Sequence, residues 1–401
     1  MQIPWSGGRA GRCPVGFLYP GGVLLLQQAR AARSLTAAVL RATVVGATTA
    51  GMGLLARAAW GIPTAMGASR ADIAEVAGDS PRFAEGAFHN TQPGGELGPV
   101  NPLGLIVAML TRGETGTPSG PVPLAVPHFP TVADQLAVTW YGHSSALIEI
   151  DGRRVLVDPV WSDRVSPSPV LGPKRMHPMP TGLDALPDVD VVLISHDHYD
   201  HLDLATVREL VRRSPAPFVV PLGVGAHLRA WGVPAERVVE LDWDGQARVR
   251  ELTLTCTEAR HFSGRGLARN TTLWSSWVIA GPQHGVFFGG DTGYTPSFAE
   301  VGARFGPFNL TLLPIGAYHD QWPDMHMNPE EAVRAHGDLG GGLLVPVHWA
   351  TFNLAFHEWS EPVRRLLAEA ERADTRVAVP MPGERFVVSD PPERDWWSEI
   401  S

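Results

Sequence analysis

One run of seven residues, Ser195–His201 with the sequence SHDHYDH, constrains this chain more than any other stretch. It holds three imidazoles and two carboxylates and directly follows the apolar run Val191–Ile194, which is typical of a buried strand. Histidine is the commonest metal ligand in proteins, and aspartate adds an anionic oxygen donor. Packing alone is the weaker explanation, because unpaired His and Asp side chains are costly to bury. The pattern His-x-His-x-Asp-His offers two pairs of donors that point in different directions, which favours two metals over one.

Composition narrows the class of protein further. The 401 residues, 44% of them hydrophobic, suffice for a large domain with a sizeable core plus a smaller segment or a second domain. The net charge of -9 and the lack of a Lys/Arg-rich run argue against a nucleic-acid partner. Cys13 and Cys256 are the only cysteines, so the sequence has no disulfide framework and no cysteine zinc site, and it suits a reducing compartment. Histidine and aspartate must therefore bind any metal.

Residues 1–130 differ from the rest and predict an apolar helical segment followed by a wrapping linker. Ala42–Ala56 carries no charge, but it is shorter than the roughly 20 apolar residues of a spanning helix. This pattern favours a buried or interfacial helix, and it leaves a signal, an anchor or a misassigned start open for residues 1–60. Residues 94–133 are rich in Gly, Pro and Thr and contain one helix-like patch at Leu103–Leu110.

Beyond residue 136 the sequence predicts strands first and helices between the later strands. Val138–Ile150 is predicted as one strand, Asp151-Gly152 as a hairpin turn and Arg154–Val160 as the returning strand. Helices are expected after Asp203 and after Asn328, which are both good N-caps. Further strands are expected at Val189–Ile194, Phe218–Pro221, Arg237–Leu241, Leu252–Glu258, Trp277–Ala280, Gly285–Gly289 and Leu343–Val347. This order indicates layered sheets with helices outside, an α/β or α+β fold.

More metal-type residues stand at other predicted strand ends. His261, Asp291 and His348 each follow a short apolar run, and Asp158 closes the returning strand of the hairpin. Singly, each could be an ordinary buried histidine or a cap. Together with the run Ser195–His201 they favour a shared site at one edge of the sheets.

Nine short segments carry a resemblance to a known family: Trp140–His143, Asp158–Trp161, Ser195–His201, Ala259–His261, Gly289–Tyr294, Arg304–Phe308, Pro314–Tyr318, Asn328–Ala332 and His348-Trp349. From about Val138 to about Phe386 the chain resembles the metallo-β-lactamase-fold hydrolases, and closely their N-acylphosphatidylethanolamine-hydrolysing phospholipase D branch. The resemblance implies a four-layer αβ/βα sandwich and places the hydrolase domain at residues 131–395. His-x-His-x-Asp-His is typical of the superfamily, whereas the later segments indicate the branch.

The resemblance also implies two zinc ions, and every ligand position of the family pattern is filled. One zinc would be bound by His196, His198 and His261, the other by Asp200, His201 and His348, with Asp291 bridging. Imidazoles and carboxylates suit zinc, although Mn2+ or Fe stays open on ligand types alone. Two metals about 3.5–4 Å apart can clamp the attacking and leaving oxygens and lower the pKa of bound water to about 7. The expected catalytic residues are Asp200, Asp291 and His326.

His326 precedes the predicted helix at Asn328, where the resembling family has a histidine near the metals. We hypothesise that His326 protonates the leaving oxygen or binds the substrate phosphate, aided by the positive end of the helix. A surface-loop histidine is the equally weighted alternative.

Several residues are expected to surround the ligands. Asp158, Asp197 and His143 are predicted to fix imidazole tautomers, with ordinary strand-end hydrogen bonding as the alternative. The glycines of Gly289–Gly293 match neither the dinucleotide-binding pattern nor the P-loop, and we expect them to let the backbone approach the metals. Four aromatic residues either line an apolar groove or pack in the core: Tyr318, Trp322, Trp349 and Phe352.

The leading functional hypothesis is a zinc-dependent, phospholipase D-like phosphodiesterase that hydrolyses an N-acyl phosphatidylethanolamine-type phospholipid through metal-bound hydroxide. The alternatives are a lactonase or other acyl-ester hydrolase on the same dinuclear site, and a non-enzymatic metal-stabilised scaffold, against which the full ligand set argues. The expected partner is a phospholipid or small-molecule ester; a peripheral membrane contact and a homodimer stay open, and nucleic acid is excluded. The expected location is cytoplasmic or peripheral to a membrane, with an N-terminal anchor left open.

Overall fold

The structure, a computed structural model, describes residues 43, 51–53, 55–92, 115–266 and 268–401. The chain divides into two compact units, Met1–Ala59 and Trp60–Ser401, and all elements discussed below belong to the second. The predicted patch Leu103–Leu110 lies outside the described residues, as does most of Ala42–Ala56. None of the helices in the described ranges has both the length and the hydropathy that crossing a bilayer requires. The domain boundary at residue 130 stays a prediction.

Most strands of the described chain lie in two mixed sheets. The strands are β1 (Phe83–Ala84), β2 (Ala87–Phe88), β3 (Leu136–Gly142), β4 (Ser145–Ile150), β5 (Arg153–Val157), β6 (Val191–Leu193), β7 (Phe218–Pro221), β8 (Val238–Leu241), β9 (Gln246–Val249), β10 (Leu252–Thr257), β11 (Ser276–Ala280), β12 (Gly285–Phe288), β13 (Phe308–Pro314), β14 (Gly341–Val347) and β15 (Arg385–Val387). The first sheet has the order β15-β3-β4-β5-β6-β7-β8 and the second the order β14-β13-β12-β11-β10-β9, while β1 and β2 form a separate hairpin. Each sheet has one parallel half, from β5 to β8 and from β12 to β14.

The two sheets share one hydrophobic core, and the alternation of side chains along the strands explains how. On β4, Ile148 belongs to the core between the sheets, whereas its neighbour Leu147 packs on the outer side of the first sheet. On β5, Val155 and Val157 face the shared core and Leu156 faces outward. Successive side chains on a strand point to opposite faces, so both faces of the first sheet are buried. That burial is why its parallel strands are almost continuously apolar.

Helices cover the outer faces of both sheets. They are α1 (Ile62–Met66), α2 (Arg70–Ala77), α3 (Leu204–Arg213), α4 (Val224–Ala230), α5 (Ser297–Phe305), α6 (Pro329–Asp338) and α7 (Glu361–Arg372). Val207 and Leu210 of α3 and Leu228 of α4 pack on the first sheet, and α6 contacts β13 and β14 of the second. The order helix, sheet, sheet, helix confirms the mixed α/β fold and the four-layer αβ/βα sandwich that the resemblance implied.

Both predicted N-caps are confirmed, and both lie close to the ligand loops. The Asp203 carboxylate accepts the backbone N–H of Thr206 at 3.0 Å at the start of α3. Asn328 and Glu331 form a reciprocal capping box at the start of α6, with Pro329 in its first turn. Capping fixes where each helix begins, and it therefore fixes the loops that precede α3 and α6.

The prediction of a single strand over Val138–Ile150 is wrong, because the chain turns between β3 and β4. His143 has a φ of 51°, and its carbonyl accepts hydrogen bonds from the His348 backbone N–H at 2.9 Å and from Trp140 Nε1 at 2.7 Å. Buried small residues continue the alternating pattern through the turn, which hides it in the sequence. The turn at Asp151-Gly152 is confirmed, since β4 and β5 pair antiparallel across it.

The segment 62–92 packs against the sandwich. Helix α2 contacts α4, and Trp231 Nε1 beyond α4 donates to the Thr64 carbonyl at 2.7 Å. The Arg265 guanidinium donates to the Ala65 carbonyl at 2.9 Å, and the Phe88 N–H to the Asn270 carbonyl at 2.7 Å. These contacts reach the loop between β10 and β11, which begins close to His261.

Candidate metal centre

The histidines and aspartates at the strand ends converge at one edge of the sandwich. The run His196–His201 follows β6, and His261, Asp291 and His348 follow β10, β12 and β14. Ligand atoms that lie within 4.8 Å of one another form three overlapping groups: His196, His198, His261 and Asp291; His143, Asp200, His201 and His348; and Asp291, His326 and His348. The structure thus brings together all seven predicted ligands, whose roles as ligands stay predictions.

We call His196, His198 and His261 the first ligand set. His198 Nδ1 lies 2.9 Å from His196 Nε2 and 3.3 Å from His261 Nε2, so three ring nitrogens face one another. His261 Nδ1 lies 2.9 Å from the Met325 carbonyl, which can only accept, so the proton is on Nδ1 and Nε2 offers its lone pair. A metal ion is the simplest partner for nitrogen lone pairs that converge in this way.

We call Asp200, His201 and His348 the second ligand set. The Asp200 carboxylate oxygen lies 3.6 Å from His201 Nε2 and 3.5 Å from His348 Nε2. Asp291 joins the two sets: its Oδ2 lies 3.1 and 3.0 Å from the ring nitrogens of His201 and His348. The same oxygen lies 3.9 and 3.8 Å from Nε2 of His196 and His261 in the first set.

A buried carboxylate, Asp158, orients His201 within the second ligand set. It lies 2.7 Å from His201 Nδ1 and accepts the Ser195 backbone N–H at 2.7 Å and the Ser195 hydroxyl at 2.6 Å. Because Asp158 accepts a hydrogen bond from the Nδ1–H of His201, Nε2 is left as the metal-facing atom. His143 Nε2 lies 2.9 Å from Asp200 Oδ2 in the same way. Asp158 thus contacts an imidazole, as the prediction of tautomer fixing requires, whereas His143 contacts the carboxylate of Asp200. The roles of both residues stay predictions.

The two sets differ in their titration. Burial holds the pKa of His196 and His261 well below the usual range, so these rings are neutral. Burial acts in the same direction on His348, but Asp291 and Asp200 outweigh it and raise its pKa to about 9. Burial would also raise the pKa of Asp291, but the nearby His201 and His348 keep it well below its usual range. The carboxylates therefore present negative charge to the space between the sets.

Unpaired buried polar atoms in the cluster indicate that its residues suit a metal ion. Six buried atoms of the three groups form no hydrogen bond of acceptable geometry among the described residues: His143 Nδ1, His201 Nε2, Asp291 Oδ1, His326 Nδ1 and both ring nitrogens of His348. Buried polar atoms are normally paired, because leaving one unpaired costs roughly 1–3 kcal/mol. Imidazole nitrogens and carboxylate oxygens that converge in this way are the donors that a divalent metal prefers, and a bound metal would replace the proton on His348.

His326 lies at the open side of the cluster. Its Nδ1 is 3.8 Å from Asp291 Oδ2, and its ring stacks on His348 with centroids 5.0 Å apart. Burial lowers its pKa to about 3. His326 is a largely buried loop residue with a 13% exposed side chain. It borders a cavity of about 180 Å³ together with His198, Asp200, Phe262, Asp291, Ala317, Trp322, Met325, His348 and Leu354.

The four predicted groove aromatics have different positions. Trp322 lines the cavity, whereas Trp349 is buried and stacks on Trp140 with centroids 5.9 Å apart. Phe352 packs edge-on against His143 at 5.1 Å, and the Tyr318 hydroxyl donates to Glu361 at 2.8 Å. Of these four, only Trp322 borders this cavity.

The glycine pair before Asp291 allows two loops to approach closely. Gly290 has a φ of 58°, and a Cβ there would lie 2.5 Å from Ser195 Cβ. Only glycine combines this conformation with this space. The interpretation of these glycines as a close backbone approach, and not as a phosphate cradle, fits this geometry.

The sequence does not point to two residues beside the first ligand set: Asn90 contacts His261, and His227 contacts Asp197. Asn90 Nδ2 donates to the His261 carbonyl at 2.8 Å, and His227 Nε2 lies 3.4 Å from Asp197 Oδ2. Neither residue has the sequence signal that identified the other candidates, which was a His or Asp after an apolar, strand-like run. The one available signal was the position of Asp197 between His196 and His198, because a carboxylate there needs a hydrogen-bond partner of its own.

Comparison with known proteins agrees with this geometry. Residues 153–349 match the model of the beta-lactamase superfamily domain. An uncharacterized protein of Mycobacterium tuberculosis is 58% identical over 350 residues, which cover 86% of this chain and 94% of that protein. The N-acyl-phosphatidylethanolamine-hydrolyzing phospholipase D 1 of Caenorhabditis elegans is 36% identical over 272 residues, covering 64% of this chain and 76% of that protein.

A solved structure supports the fold. It is a metallo hydrolase of the archaeon Ignicoccus hospitalis, with a TM-score of 0.50 and 24% identity, covering 63% of this chain and 97% of that one. This likeness concerns the fold alone. The chain belongs to the beta-lactamase superfamily of metal-dependent hydrolases and is related to its N-acyl-phosphatidylethanolamine-hydrolyzing phospholipase D branch.

Proposed function

We propose that the protein is a phosphodiesterase of the phospholipase D type that hydrolyses an N-acyl phosphatidylethanolamine-type phospholipid, with two zinc ions as its metals. The observation that carries the dinuclear part is the position of Asp291, whose Oδ2 lies between 3.0 and 3.9 Å from ring nitrogens of both ligand sets. The relative in Caenorhabditis elegans supports the substrate class.

The residues of this protein would support that reaction in two ways, by orienting metal ligands and by acting on the substrate at the cavity. When bound, two divalent metals supply hydroxide at neutral pH and positive charge for the phosphate. Asp158 and the Met325 carbonyl hold His201 and His261 in the tautomers that bind metal. His326, at the cavity and two residues before the capped start of α6, would bind a phosphate oxygen. Because its pKa is lowered to about 3, it would protonate the leaving oxygen only if the bound phosphate raised that pKa. A third role for His326, as a metal ligand with Asp291 and His348, is also compatible with its geometry.

The cavity supports a lipid whose phosphodiester enters and whose chains stay outside. Its volume of about 180 Å³ lies below the roughly 300–1,000 Å³ of sites that enclose drug-sized ligands. Phe262, Trp322 and Leu354 give its wall apolar surface. Acyl chains would then lie along the outside of the protein or in a lipid surface, which supports a peripheral contact with a membrane.

The small cavity also favours a second candidate, a lactonase or another small acyl-ester hydrolase. The superfamily fold and a metal centre do not fix the reaction, because one fold hosts many chemistries. A compact substrate would fill this cavity without leaving chains in water. The two candidates differ in whether a phosphorus or a carbonyl carbon is attacked.

One substrate panel on purified protein of known metal content tests the proposal. It compares an N-acylated phosphatidylethanolamine, a generic phosphodiester, a lactone and a β-lactam. We expect turnover of the phospholipid to exceed that of the other three. Turnover of the lactone alone would establish the second candidate, and two bound metals without turnover of any substrate would favour a scaffold. Light scattering on the same sample tests whether the protein is a homodimer, which the sequence leaves open.

A further inference from the structure

The segment 62–92 reaches the backbone of one metal-ligand residue directly. The Asn90 side-chain amide makes two hydrogen bonds with His261: Nδ2 donates to its carbonyl at 2.8 Å, and Oδ1 accepts its N–H at 3.2 Å. Trp274 Nε1 also donates to Oδ1 at 3.1 Å. Asn90 therefore pairs with both backbone polar groups of His261, its carbonyl and its N–H, as a residue on a neighbouring strand would.

The same segment reaches the other two ligands of the first set through His227 on α4. The Ala68 backbone N–H donates to His227 Nδ1 at 2.9 Å, so Nδ1 is the acceptor and the ring proton is on Nε2. Nε2 lies 3.4 Å from Oδ2 of Asp197, the residue between His196 and His198. His227 is 2% and Asp197 1% exposed, and neither of these two facing atoms has another polar partner among the described residues.

Asp197 is placed to transmit this contact to the ligand loop. Its Oδ1 accepts the Gly264 backbone N–H at 2.7 Å, which ties the loop of His196 and His198 to the loop that begins at His261. The Arg265 guanidinium donates to the carbonyl of Asp197 and also to the carbonyl of Ala65 in the segment 62–92. One network of buried hydrogen bonds thus links residues 62–92 to both loops that carry the first set.

We propose that residues 62–92 complete the metal centre, with Asn90 and His227 acting as positioning residues for the first ligand set only. The inference rests on the proposed metal centre but not on the proposed substrate. Among the described residues, the contacts that orient the second set come from later elements: Asp158 on His201, and His143 on Asp200. Loss of Asn90 or His227 should therefore weaken one metal site and leave the other intact.

Metal titration of the full chain tests this selectivity. The variants are Asn90→Ala, His227→Phe, and His227→Gln, whose side-chain amide can donate towards Asp197. The matched controls are Asn309→Ala, whose Oδ1 accepts the Gly285 N–H, and His336→Phe, a 4% exposed histidine paired with Thr311 in the second sheet. Zinc affinity is measured by chelator competition, and cobalt absorption spectra report the coordination of each site. Thermal unfolding of each metal-free variant measures its folding independently.

We expect two equivalents of metal on the wild-type chain. Asn90→Ala and His227→Phe should lower the affinity of one equivalent about 10–100-fold, as is usual for residues that orient ligands, and change the other less than about twofold. His227→Gln should recover part of this loss, and both controls should keep both affinities. Unchanged affinities in Asn90→Ala and His227→Phe would overturn the inference, as would equal loss at both sites or equal loss in the controls. A wild-type chain that binds no metal would overturn the centre itself, whatever the substrate panel shows.

Discussion

The two ligand sets lie side by side but are built from different parts of the chain. The first set consists of imidazoles alone, and its loops contact the segment 62–92. The second set includes the carboxylate of Asp200, and the described contacts of Asp158 and His143 that orient it come from the first sheet and its turns. Asp291 lies 3.0–3.1 Å from the second set but 3.8–3.9 Å from the first.

Charge and geometry therefore contribute unequally to the two sites. Two carboxylates attract a cation to the second set even if the ring positions relax slightly. The first set has neutral imidazoles and only the more distant Asp291, so its affinity depends more on exact placement of three ring nitrogens. We therefore expect the first site to respond to substitutions in supporting residues, and the second to substitutions that remove charge.

The largest effect should follow Asp291→Asn, because this substitution removes the carboxylate charge that lies between the two sets. We expect metal content to fall well below two per chain and activity to fall on the order of 10³-fold or more, since the bridging charge would be lost. Metal analysis after gel filtration, together with the substrate panel, measures both. Asp338→Asn, which changes a carboxylate that accepts the Tyr294 hydroxyl at 2.6 Å, is the control. Two metals per chain in Asp291→Asn would contradict the bridging assignment.

The next largest effect should follow a substitution of His326, which borders the cavity beside both ligand sets. If His326 is a general acid, His326→Ala should lower turnover of an ester with a poor leaving group about 10²–10⁴-fold, and spare one with an activated leaving group. Both metals should stay bound. Equal residual activity on both esters, with metals retained, would remove the acid role and leave phosphate binding. Loss of a metal would instead identify His326 as a ligand.

Sequence reasoning predicted the ligand residues because each follows a strand. His261, Asp291 and His348 stand at the ends of apolar runs, and the structure brings them together because those ends meet at one edge of the sandwich. The Asp203 and Asn328 caps were predictable for a similar reason, since helix N-caps depend on local chemistry.

Other features depend on contacts between distant residues and could not be predicted. The turn at His143 is stabilised by the Thr351 hydroxyl and the His348 N–H, more than 200 residues away, while the local pattern favours a continuous strand. Strand β13 was not predicted, although it is apolar and pairs between β12 and β14. Asn90 is equally invisible, because its role appears only when its hairpin meets His261. Local patterns thus specify the elements, whereas tertiary contacts decide which side chains support the site.

A moderate effect on the second set should follow Asp158→Asn. The amide can no longer hold the His201 Nδ1 proton as a carboxylate does, so we expect the affinity of one metal to fall about 10–100-fold. Asp151→Asn is a matched control, because Asp151 also pairs with a histidine, His284, but in a hairpin away from the centre. Chelator competition should show the loss in the site that Asn90→Ala leaves intact. Loss in the same site as Asn90→Ala would contradict the division into two separately supported sets.

The smallest effect should follow Thr351→Val, which removes one hydroxyl beneath the second set and keeps the side-chain shape. The Thr351 hydroxyl accepts the His143 backbone N–H at 2.7 Å and lies 3.1 Å from His177 Nε2, and the residue is fully buried. An unpaired buried N–H should lower the free energy of unfolding by about 1–3 kcal/mol, which urea unfolding of the metal-free protein measures.

The control Thr255→Val loses a comparable hydroxyl, paired with Gln246 in the second sheet, and should lower stability without changing metal affinity. If the second set is tolerant because of its charge, Thr351→Val should likewise change metal affinity less than about threefold, far below the 10–100-fold effect of losing a residue that orients a ligand directly. A larger loss would mean that the second set, too, depends on exact placement, and the contrast between the two sets would then rest on charge alone.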